Sequence, residues 1–353
     1  MHPAKLWRPL THHDADPDQG TFEPGTVQCL LCNHFCRIEP GLRGQCGVRQ
    51  NQDGELMTLV KDRVAALNLD PVEKKPLYHF LPGTMTLSLG TMGCNLSCDN
   101  CQNHSLSQSP REGRPIQGQA VTSEELVQGA IKAQAQSISY TYSEPTIFFE
   151  LMLDTAILAH EQGLKNIIVS NGFMSPQCME ELAPVIDAAN IDLKSFNDGF
   201  YRKFCSARLK PVLSNLVQLK KAGVWLEITT LLIPEHNDSY TELADIAVFI
   251  HDELGAATPW HISRFHPDFR MPRVPPTPEE TLERAWDIGR EAGLEYVYVG
   301  NVPGHLGNNT FCPDCCRMTV SRRGFAIARA DAGGKCQNCG HAIPGVGMEG
   351  LDS

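Results

Sequence analysis

The segment from residue 84 to residue 301 alternates short β-rich runs with longer stretches of helical periodicity. The runs are Met85–Thr91, Ser137–Tyr142, Asn166–Ser170, Asn190–Leu193, Trp225–Ile233, Trp260–Phe265 and Tyr296–Val299. This alternation predicts an α/β fold with a mostly parallel sheet, arranged as a full or partial (βα) barrel, with an open doubly wound sheet as the alternative. In both architectures functional side chains are expected at the carboxyl ends of the strands.

The chain carries 14 cysteines, and twelve of them fall into three tight groups. They divide the sequence into an N-terminal Cys-rich segment with a connector (1–83, the connector being 51–83), the barrel (84–301) and a small C-terminal unit (302–353). Clustered thiols in a long chain favour metal binding over disulfides, which indicates a reducing compartment. The chain starts without an apolar signal core and has no run of about 18 apolar residues, so we expect a cytoplasmic protein with no membrane partner.

The middle cysteine group directly follows the first predicted barrel strand. Cys94, Cys98 and Cys101 have the spacing CxxxCxxC within one loop. A structural zinc site takes four protein ligands, usually as two separated pairs, whereas three thiolates in one loop suit a [4Fe–4S] cluster with one iron left open. A small ligand can chelate that iron, so these cysteines are predicted to be the catalytic metal ligands.

This spacing, and its place after the first strand, resemble the radical S-adenosylmethionine (SAM) superfamily. Residues at the ends of the later predicted strands resemble its GGEP-type, TNG and DLK segments. A histidine after the sixth strand resembles one that lies near adenine. The matching residues are Ser143, Glu144, Ser170, Asn171, Asp192, Lys194 and His266. The resemblance implies that they bind SAM, with Glu144 receiving the amino group and Lys194 helping to hold the carboxylate.

Three positions, in two segments, depart from the superfamily pattern. Tyr142 and Ser143 stand where the GGEP segment has two glycines, and Asn100 replaces the usual aromatic residue before the third cysteine. Longer segments, from Lys74–Phe80 to Tyr298–Asn301, look like the radical SAM enzyme of the AmmeMemoRadiSam system, a relative of pyruvate formate-lyase activating enzymes. That resemblance implies a [4Fe–4S] cluster and SAM as cofactors, ferredoxin or flavodoxin as electron donor, and MEMO-like and AMMECR-like partners.

The implied activity is that of an oxidoreductase. Reductive cleavage of SAM gives methionine and a 5′-deoxyadenosyl radical, which takes hydrogen from a substrate that we expect to be a small molecule. An activase that forms a glycyl radical on a partner enzyme is the alternative. RNA modification is disfavoured because the net charge of −11 argues against a broad nucleic-acid footprint. The intact cysteine motif disfavours a metal-binding scaffold with a degenerate barrel.

The C-terminal cysteine group predicts a zinc ribbon. Two CxxC pairs, separated by 20 residues, would close one tetrahedral site that supplies the folding energy of this small unit. The predicted ligands are Cys312, Cys315, Cys336 and Cys339. Cys316 is an ambiguous neighbour, and the isolated Cys178 and Cys205 are predicted to be buried apolar thiols.

The N-terminal cysteine group predicts a second compact metal site, of less regular spacing. Its members are Cys29, Cys32, Cys36 and Cys46. Zinc or an auxiliary Fe–S cluster would suit them, and His34 could replace one thiolate. A reduced, metal-free structure is the remaining alternative.

Overall fold

The computed structural model describes residues 1–11, 14 and 22–349 of the protein. Its centre is an eight-stranded sheet whose strand order follows the chain. The strands are β1 Ala66–Pro71, β2 Met85–Gly90, β3 Ser137–Tyr140, β4 Lys165–Ser170, β5 Ala188–Asp192, β6 Trp225–Leu232, β7 Trp260–Arg264 and β8 Val297–Gly300. β1 runs antiparallel to β2, and all other neighbouring strands are parallel.

The consecutive strand order decides between the two predicted architectures. A doubly wound sheet reverses its strand order at a switch point, whereas this sheet runs from β1 to β8 in sequence. The doubly wound alternative is therefore wrong, and the (βα) barrel prediction is confirmed in its partial form, with β1 and β8 at the edges. The seven predicted strands correspond to β2–β8. β1 lies in the expected connector, before residue 84, and its exposed Leu67 and Leu69 mark it as an edge strand.

Helices fill the connections between the strands and bury their apolar faces against the sheet. They are α1 His104–Ser107, α2 Ser123–Lys132, α3 Phe149–Glu161, α4 Pro176–Leu182, α5 Asp198–Phe200, α6 Leu209–Lys221, α7 Tyr240–Phe249 and α8 Glu279–Glu291. α2 begins at a capping box, in which Thr122 and Glu125 satisfy each other's backbone N–H groups. Ile138, Ile168 and Ile228 are completely buried and form part of the continuous core.

Shorter helical turns complete these connections. They are the 3₁₀ turns Val72–Lys74, Pro145–Phe148, Ala183–Val185 and Leu306–Asn308 and the π-helical turns Tyr201–Cys205 and Ile250–Leu254. The turn at Pro145 follows from its proline, which suits the first position of a helix. It sets the entry to α3 at the loop that bears Glu144.

The N-terminal unit consists of short antiparallel strands that pack on the barrel. They are His2–Pro3, Trp7–Pro9, Val27–Cys29, Arg37–Ile38, Arg49–Gln52, Glu55–Thr58 and Arg63–Val64, the last pairing with Gln119–Ala120. Arg49 forms a buried ion pair with Glu150 of α3, so a charged contact fixes this unit to the barrel. Residues 12, 13 and 15–21 of the unit lie outside the described residues.

The C-terminal unit is built from the strands Thr310–Phe311, Met318–Arg323, Ala326–Arg329, Asp331–Ala332 and Lys335–Cys336. Its Arg322 guanidinium lies 3.9 Å from the centre of the Tyr78 ring, a cation–π contact with the segment before β2. Residues 350–353 of the predicted unit lie outside the described residues. Within the described chain, none of the helices combines the length and apolar character that crossing a bilayer requires.

Candidate functional site

A cavity of about 550 Å³ lies at the carboxyl ends of the parallel strands, and it is called the main cavity because of the predicted site residues in its wall. Most of the residues predicted to bind the cluster and SAM contribute to its wall. They are Cys94, Cys98, Cys101, Ser143, Glu144, Ser170, Asn171, Asp192 and Lys194. His266 is exposed after β7 and lies outside this wall. The fold therefore gathers side chains from four successive strand ends into one space.

A tight approach of two loops sets the start of the cysteine motif. Gly93 has a φ of +104°, and a Cβ there would lie 2.7 Å from Val48 Cγ1, so this position requires glycine. The backbone N–H of Leu96 donates to Cys94 Sγ at 3.4 Å, and Asn171 Nδ2 lies 3.8 Å from the same sulfur. The first cysteine is thus held by donors from its own loop and from the loop after β4.

Cys205 is a neighbour of Cys98, the second cysteine of the CxxxCxxC motif. The neighbouring Cys205 thiol, and then the Lys194 ammonium, lower the pKa of the Cys98 thiol against the effect of its burial. Cys101 Sγ lies 3.2 Å from Ser107 Oγ. Donors that face a sulfur stabilise its thiolate, which is the form that ligates metal. Cys205 was expected to be an isolated buried thiol, and its place beside Cys98 was not predicted.

Glu144 presents a buried carboxylate, 1% exposed, at the end of the loop after β3. Its Oε1 accepts from Thr146 N at 3.0 Å, from Thr146 Oγ1 at 2.6 Å and from Ser170 Oγ at 2.8 Å. Its Oε2 accepts from Asn171 N at 2.9 Å. Burial raises the pKa of Glu144, while these bonds act in the opposite direction. All four donors are neutral, so the buried negative charge would gain from a cationic ligand group.

Tyr142 adopts a left-handed backbone conformation, which a glycine at this position would adopt without strain. Its φ is +66°, which is uncommon for a bulky residue. The Tyr142 hydroxyl donates to Asp70 Oδ2 at 2.6 Å, and Asn103 Nδ2 donates to the Tyr142 backbone carbonyl at 2.8 Å. A Cβ at Gly90 would lie 2.5 Å from the Thr141 carbonyl oxygen. The backbones of β2 and of the loop after β3 therefore approach each other closely at Gly90, where no side chain would fit.

Lys194 supplies a cation at the end of β5. Its Nζ lies 2.7 Å from Asp192 Oδ2. Burial alone would lower the pKa of Lys194, but Asp192 and Cys98 raise it well above its usual range, so the side chain is charged at neutral pH. Asn171 Nδ2 donates to Asn95 Oδ1 at 2.8 Å, which joins the loop after β4 to the cysteine loop.

The cavity fits a [4Fe–4S] cluster with SAM. Three soft thiolates suit iron–sulfur ligation, and the Glu144 carboxylate and Lys194 ammonium suit the amino and carboxylate groups of an amino acid. Within the described chain, Asn100 Oδ1 and Ser143 Oγ are buried without a hydrogen-bond partner, and both residues line the cavity. Buried polar atoms normally have partners, so these two are available to a polar ligand.

Lys74 and Lys75 are cavity residues that were not assigned to the site from the sequence. Each ammonium lies 2.7 Å from an oxygen of Asp70, and Lys75 is only 2% exposed. Lys75 Nζ also lies 4.9 Å from the centre of the Tyr142 ring. The adjacent lysines were visible in the sequence, but only the pairing of β1 with β2 brings their segment to the cavity.

The two flanking cysteine groups differ in compactness. The C-terminal ligand atoms all lie within 4.8 Å of one another. Cys312 Sγ lies 3.5 Å from Cys339 Sγ, and Cys315 Sγ lies 3.5 Å from Cys336 Sγ. Cys316 is exposed and outside this set. The group could therefore bind metal.

In the N-terminal group the thiols of Cys29, Cys32 and Cys46 are buried, and that of Cys36 is partly buried. Burial raises the pKa of Cys32, and the neighbouring Cys29, Cys36 and Cys46 thiols raise it further. The Cys32 thiol is thus close enough to the other three to interact with them electrostatically.

A family model matches part of the barrel, and one sequence relative matches 91% of the chain. A family model described as the radical SAM superfamily matches residues 89–247. An uncharacterized protein of Methanocaldococcus jannaschii is 45% identical over 325 residues, which is 91% of this chain and 96% of that protein. The benzylsuccinate synthase activating enzyme of Thauera aromatica is 24% identical over 162 residues, covering 44% of this chain and 49% of the enzyme.

Solved structures with similar coordinates include a domain of a pyruvate-formate lyase-activating enzyme from Bacteroides vulgatus. That domain has a TM-score of 0.42 and 18% identity, covering 47% of this chain and 100% of the domain. Streptococcus suis SuiB bound to S-adenosylmethionine has a TM-score of 0.49 and 15% identity, covering 65% of this chain and 53% of SuiB. The matched family model and the partial barrel identify residues 89–247 of this chain as a radical SAM domain.

Proposed function

We propose that this protein cleaves SAM reductively and uses the resulting radical to abstract hydrogen from a small molecule held in the main cavity. The observation that carries the proposal is the shared wall of Cys94, Cys98, Cys101, Glu144 and Lys194. A cavity of about 550 Å³ lies within the range of small-molecule sites. In a reducing cytoplasm, ferredoxin or flavodoxin would supply the electron.

The chain's own residues would bind and orient the cofactors. When bound, the [4Fe–4S] cluster supplies the electron that splits SAM into methionine and a 5′-deoxyadenosyl radical. The thiolates of Cys94, Cys98 and Cys101 would hold the cluster and leave one iron free. Glu144 would accept a hydrogen bond from the SAM amino group, and Ser170 and Asn171 hold the Glu144 carboxylate in place. Lys194 would pair with the SAM carboxylate. His266 is proposed for adenine on the sequence resemblance alone.

Anaerobic reconstitution tests this proposal. The reconstituted protein should give a cluster EPR signal that changes when SAM is added, and dithionite should then yield 5′-deoxyadenosine. Cys98→Ala should abolish this product, whereas Cys178→Ala, a buried thiol outside the cavity wall, should retain it. The proposal fails if the cluster-loaded protein cleaves no SAM, or if Cys98→Ala forms as much product as the unmodified protein.

An activase that generates a glycyl radical on a partner enzyme is the second candidate. The similarity to the benzylsuccinate synthase activating enzyme favours it, over 49% of that enzyme's length. A candidate partner incubated with the loaded protein, SAM and dithionite would then show the EPR doublet of a glycyl radical. Cleavage of SAM without such a signal, together with hydrogen transfer to a small molecule, would favour the first candidate.

We also propose that the chain is the radical SAM enzyme of an AmmeMemoRadiSam system. The support is the series of segments from Lys74–Phe80 to Tyr298–Asn301. MEMO-like and AMMECR-like proteins would then be its partners. Reciprocal co-purification of the tagged proteins tests this assignment. Stable capture of a partner supports it, and failure to capture any of the partners would rule out the proposed complex.

The C-terminal group is proposed to hold zinc. Thiolates around tetrahedral zinc lie close together because each Zn–S bond is about 2.3 Å, and the 3.5 Å sulfur separations suit that arrangement. Metal analysis should find one zinc fewer in Cys336→Ser than in Cys316→Ser, which alters an exposed thiol outside the set. Equal zinc contents would contradict the assignment.

A further inference from the structure

The N-terminal cysteine group is built around a buried guanidinium. Arg49 is 1% exposed, and its Nη1 donates to Cys29 Sγ at 3.4 Å. On the other side of the guanidinium, Arg49 Nη2 donates to Glu150 Oε1 of α3. Arg49 Nε and Glu150 Oε2 find no hydrogen-bond partner within the described chain. A buried cation that contacts a thiol stabilises negative charge on the sulfur, which is the charge that a metal ligand carries.

The loops that carry these thiols are closely folded. The backbone N–H of Cys29 donates to the carbonyl of Cys36 at 2.9 Å. A Cβ at Gly44 would lie 3.7 Å from Cys36 Sγ, and Gly47, directly after Cys46, has a φ of +75°. The tight turns therefore fold the 18 residues from Cys29 to Cys46 back on themselves, and three of their four thiols are buried.

The compactness of a thiol group distinguishes a zinc site from a [4Fe–4S] site. In the part of the chain that the structure describes, the C-terminal set is the group whose ligand atoms all lie within 4.8 Å of one another. Within the described chain, neither the N-terminal thiols nor Cys94, Cys98 and Cys101 belong to such a compact set. Zinc draws four sulfurs close to a single ion, whereas a [4Fe–4S] cluster holds each sulfur on a different iron and so farther apart.

His34 belongs to the connection between this group and the radical cluster loop. Its Nε2 lies 2.8 Å from the carbonyl oxygen of Asn95, between the first two cluster cysteines, and its ring packs 5.0 Å from that of Phe173. Among the described residues this contact uses Nε2 and leaves Nδ1 free, but the four thiols already make a complete ligand set for a [4Fe–4S] cluster without His34.

Arg111 forms the second connection. Its guanidinium donates to the carbonyl of Gln45, next to Cys46, and to the carbonyls of Cys94 and Asn95 at 3.0 and 2.9 Å. A Cβ at Gly93 would lie 3.1 Å from the Cys46 carbonyl oxygen. The N-terminal thiol loop therefore directly supports the backbone of the radical cluster loop.

We propose that Cys29, Cys32, Cys36 and Cys46 bind a second [4Fe–4S] cluster, which stiffens the loop that supports Cys94. This goes beyond the proposed function, since it assigns a separate, fully thiolate-ligated centre whose presence does not depend on SAM cleavage.

The test is iron and sulfide counting on the full chain after anaerobic reconstitution with iron and sulfide. The unmodified protein should contain about eight iron and eight sulfide per chain, and Cys94→Ala/Cys98→Ala/Cys101→Ala should retain about four of each. Cys32→Ala/Cys36→Ala should also retain about four, now with a SAM-responsive EPR signal. Cys178→Ala, which alters another buried thiol, should keep the full count.

Mössbauer and EPR spectra of the unmodified protein keep the proposal testable if a variant fails to fold. Two [4Fe–4S] components should appear, and SAM should perturb only one of them. A count of about four iron with two zinc per chain would overturn the proposal in favour of zinc at this site. Loss of all iron from the Cys94/Cys98/Cys101 variant, in folded protein, would overturn it too, whereas absent SAM cleavage would leave it standing.

Discussion

The Lys75 ammonium lies 2.7 Å from the Asp70 carboxylate at the edge of the main cavity, with both side chains largely buried. Asp70 also accepts from the Tyr142 hydroxyl, so one carboxylate ties the edge strand to the loop before Glu144. Burial lowers the pKa of Lys75, and Asp70 opposes that shift. Asp70 therefore offsets the burial of the Lys75 ammonium and anchors the Tyr142 side chain.

Asp70→Asn should destabilise the fold because it leaves the buried Lys75 ammonium without its counter-charge. Removal of one partner from a buried pair costs about 3 kcal/mol, measurable as a loss in the free energy of unfolding in urea. Asp154→Asn is the matched control, since it breaks the exposed Lys61–Asp154 pair and should cost less than about 1 kcal/mol. Equal costs for the two variants would contradict a special role for the buried pair.

Glu144→Gln should weaken SAM binding by about 100-fold, the effect of truncating a buried, hydrogen-bonded charge pair. The amide preserves the shape of the side chain but removes the charge that would meet the SAM amino group. Isothermal titration of reconstituted protein measures the effect. Iron content should not change, and Glu235→Gln, an exposed carboxylate, should bind SAM normally. Unchanged affinity in Glu144→Gln would remove this residue from the SAM site.

Cys205→Ala should leave the radical cluster in place and lower its reduction potential. Three thiolates suffice to hold the cluster. The substitution removes the neighbouring thiol that lowers the pKa of Cys98, and groups that stabilise negative charge on cluster sulfurs raise the potential. An EPR-monitored redox titration, with Cys178→Ala for comparison, measures the shift. If Cys205→Ala instead loses iron, Cys205 is a ligand and the three-cysteine assignment is incomplete.

His79 should make stability depend on pH between about 4 and 6.5. Burial lowers the pKa of His79 to about 4, whereas the side chain titrates near 6.5 when unfolded. The ring faces Tyr298 and the Pro344 carbonyl, each within 2.7 Å, and the charges of Glu227, Arg322 and His261 also act on it. These contacts suit the neutral ring, which can donate at Nδ1 and accept at Nε2.

Since only the unfolded chain binds this proton between pH 6.5 and 4, His79 stabilises the fold fully above pH 6.5. That contribution declines as the pH falls toward 4, by about 2 kcal/mol at pH 5. Urea denaturation of the unmodified protein and His79→Gln at pH 7.5 and pH 5 measures the difference. The variant should lose less stability on acidification, and an equal loss in both proteins would contradict this prediction.

Local patterns predicted much of the fold. The alternation of β-rich and helical stretches identified β2–β8, because each run depends on neighbouring residues in the chain. β1 escaped prediction, since an edge strand with exposed Leu67 and Leu69 lacks a buried face of its own. The choice of a partial barrel over a doubly wound sheet also needed the structure, because strand order depends on contacts between distant segments.

The sequence by itself determined the three-cysteine motif, since ligands within one loop are fixed by local spacing, and it singled out the strand-end residues that the parallel sheet gathers. Only the tertiary structure decided that Lys75 reaches the cavity, that Cys205 lies beside Cys98 and that Gly90 makes room for Tyr142. The physical reason is that each of these contacts joins segments far apart in the chain, whose distance is set by strand register and packing.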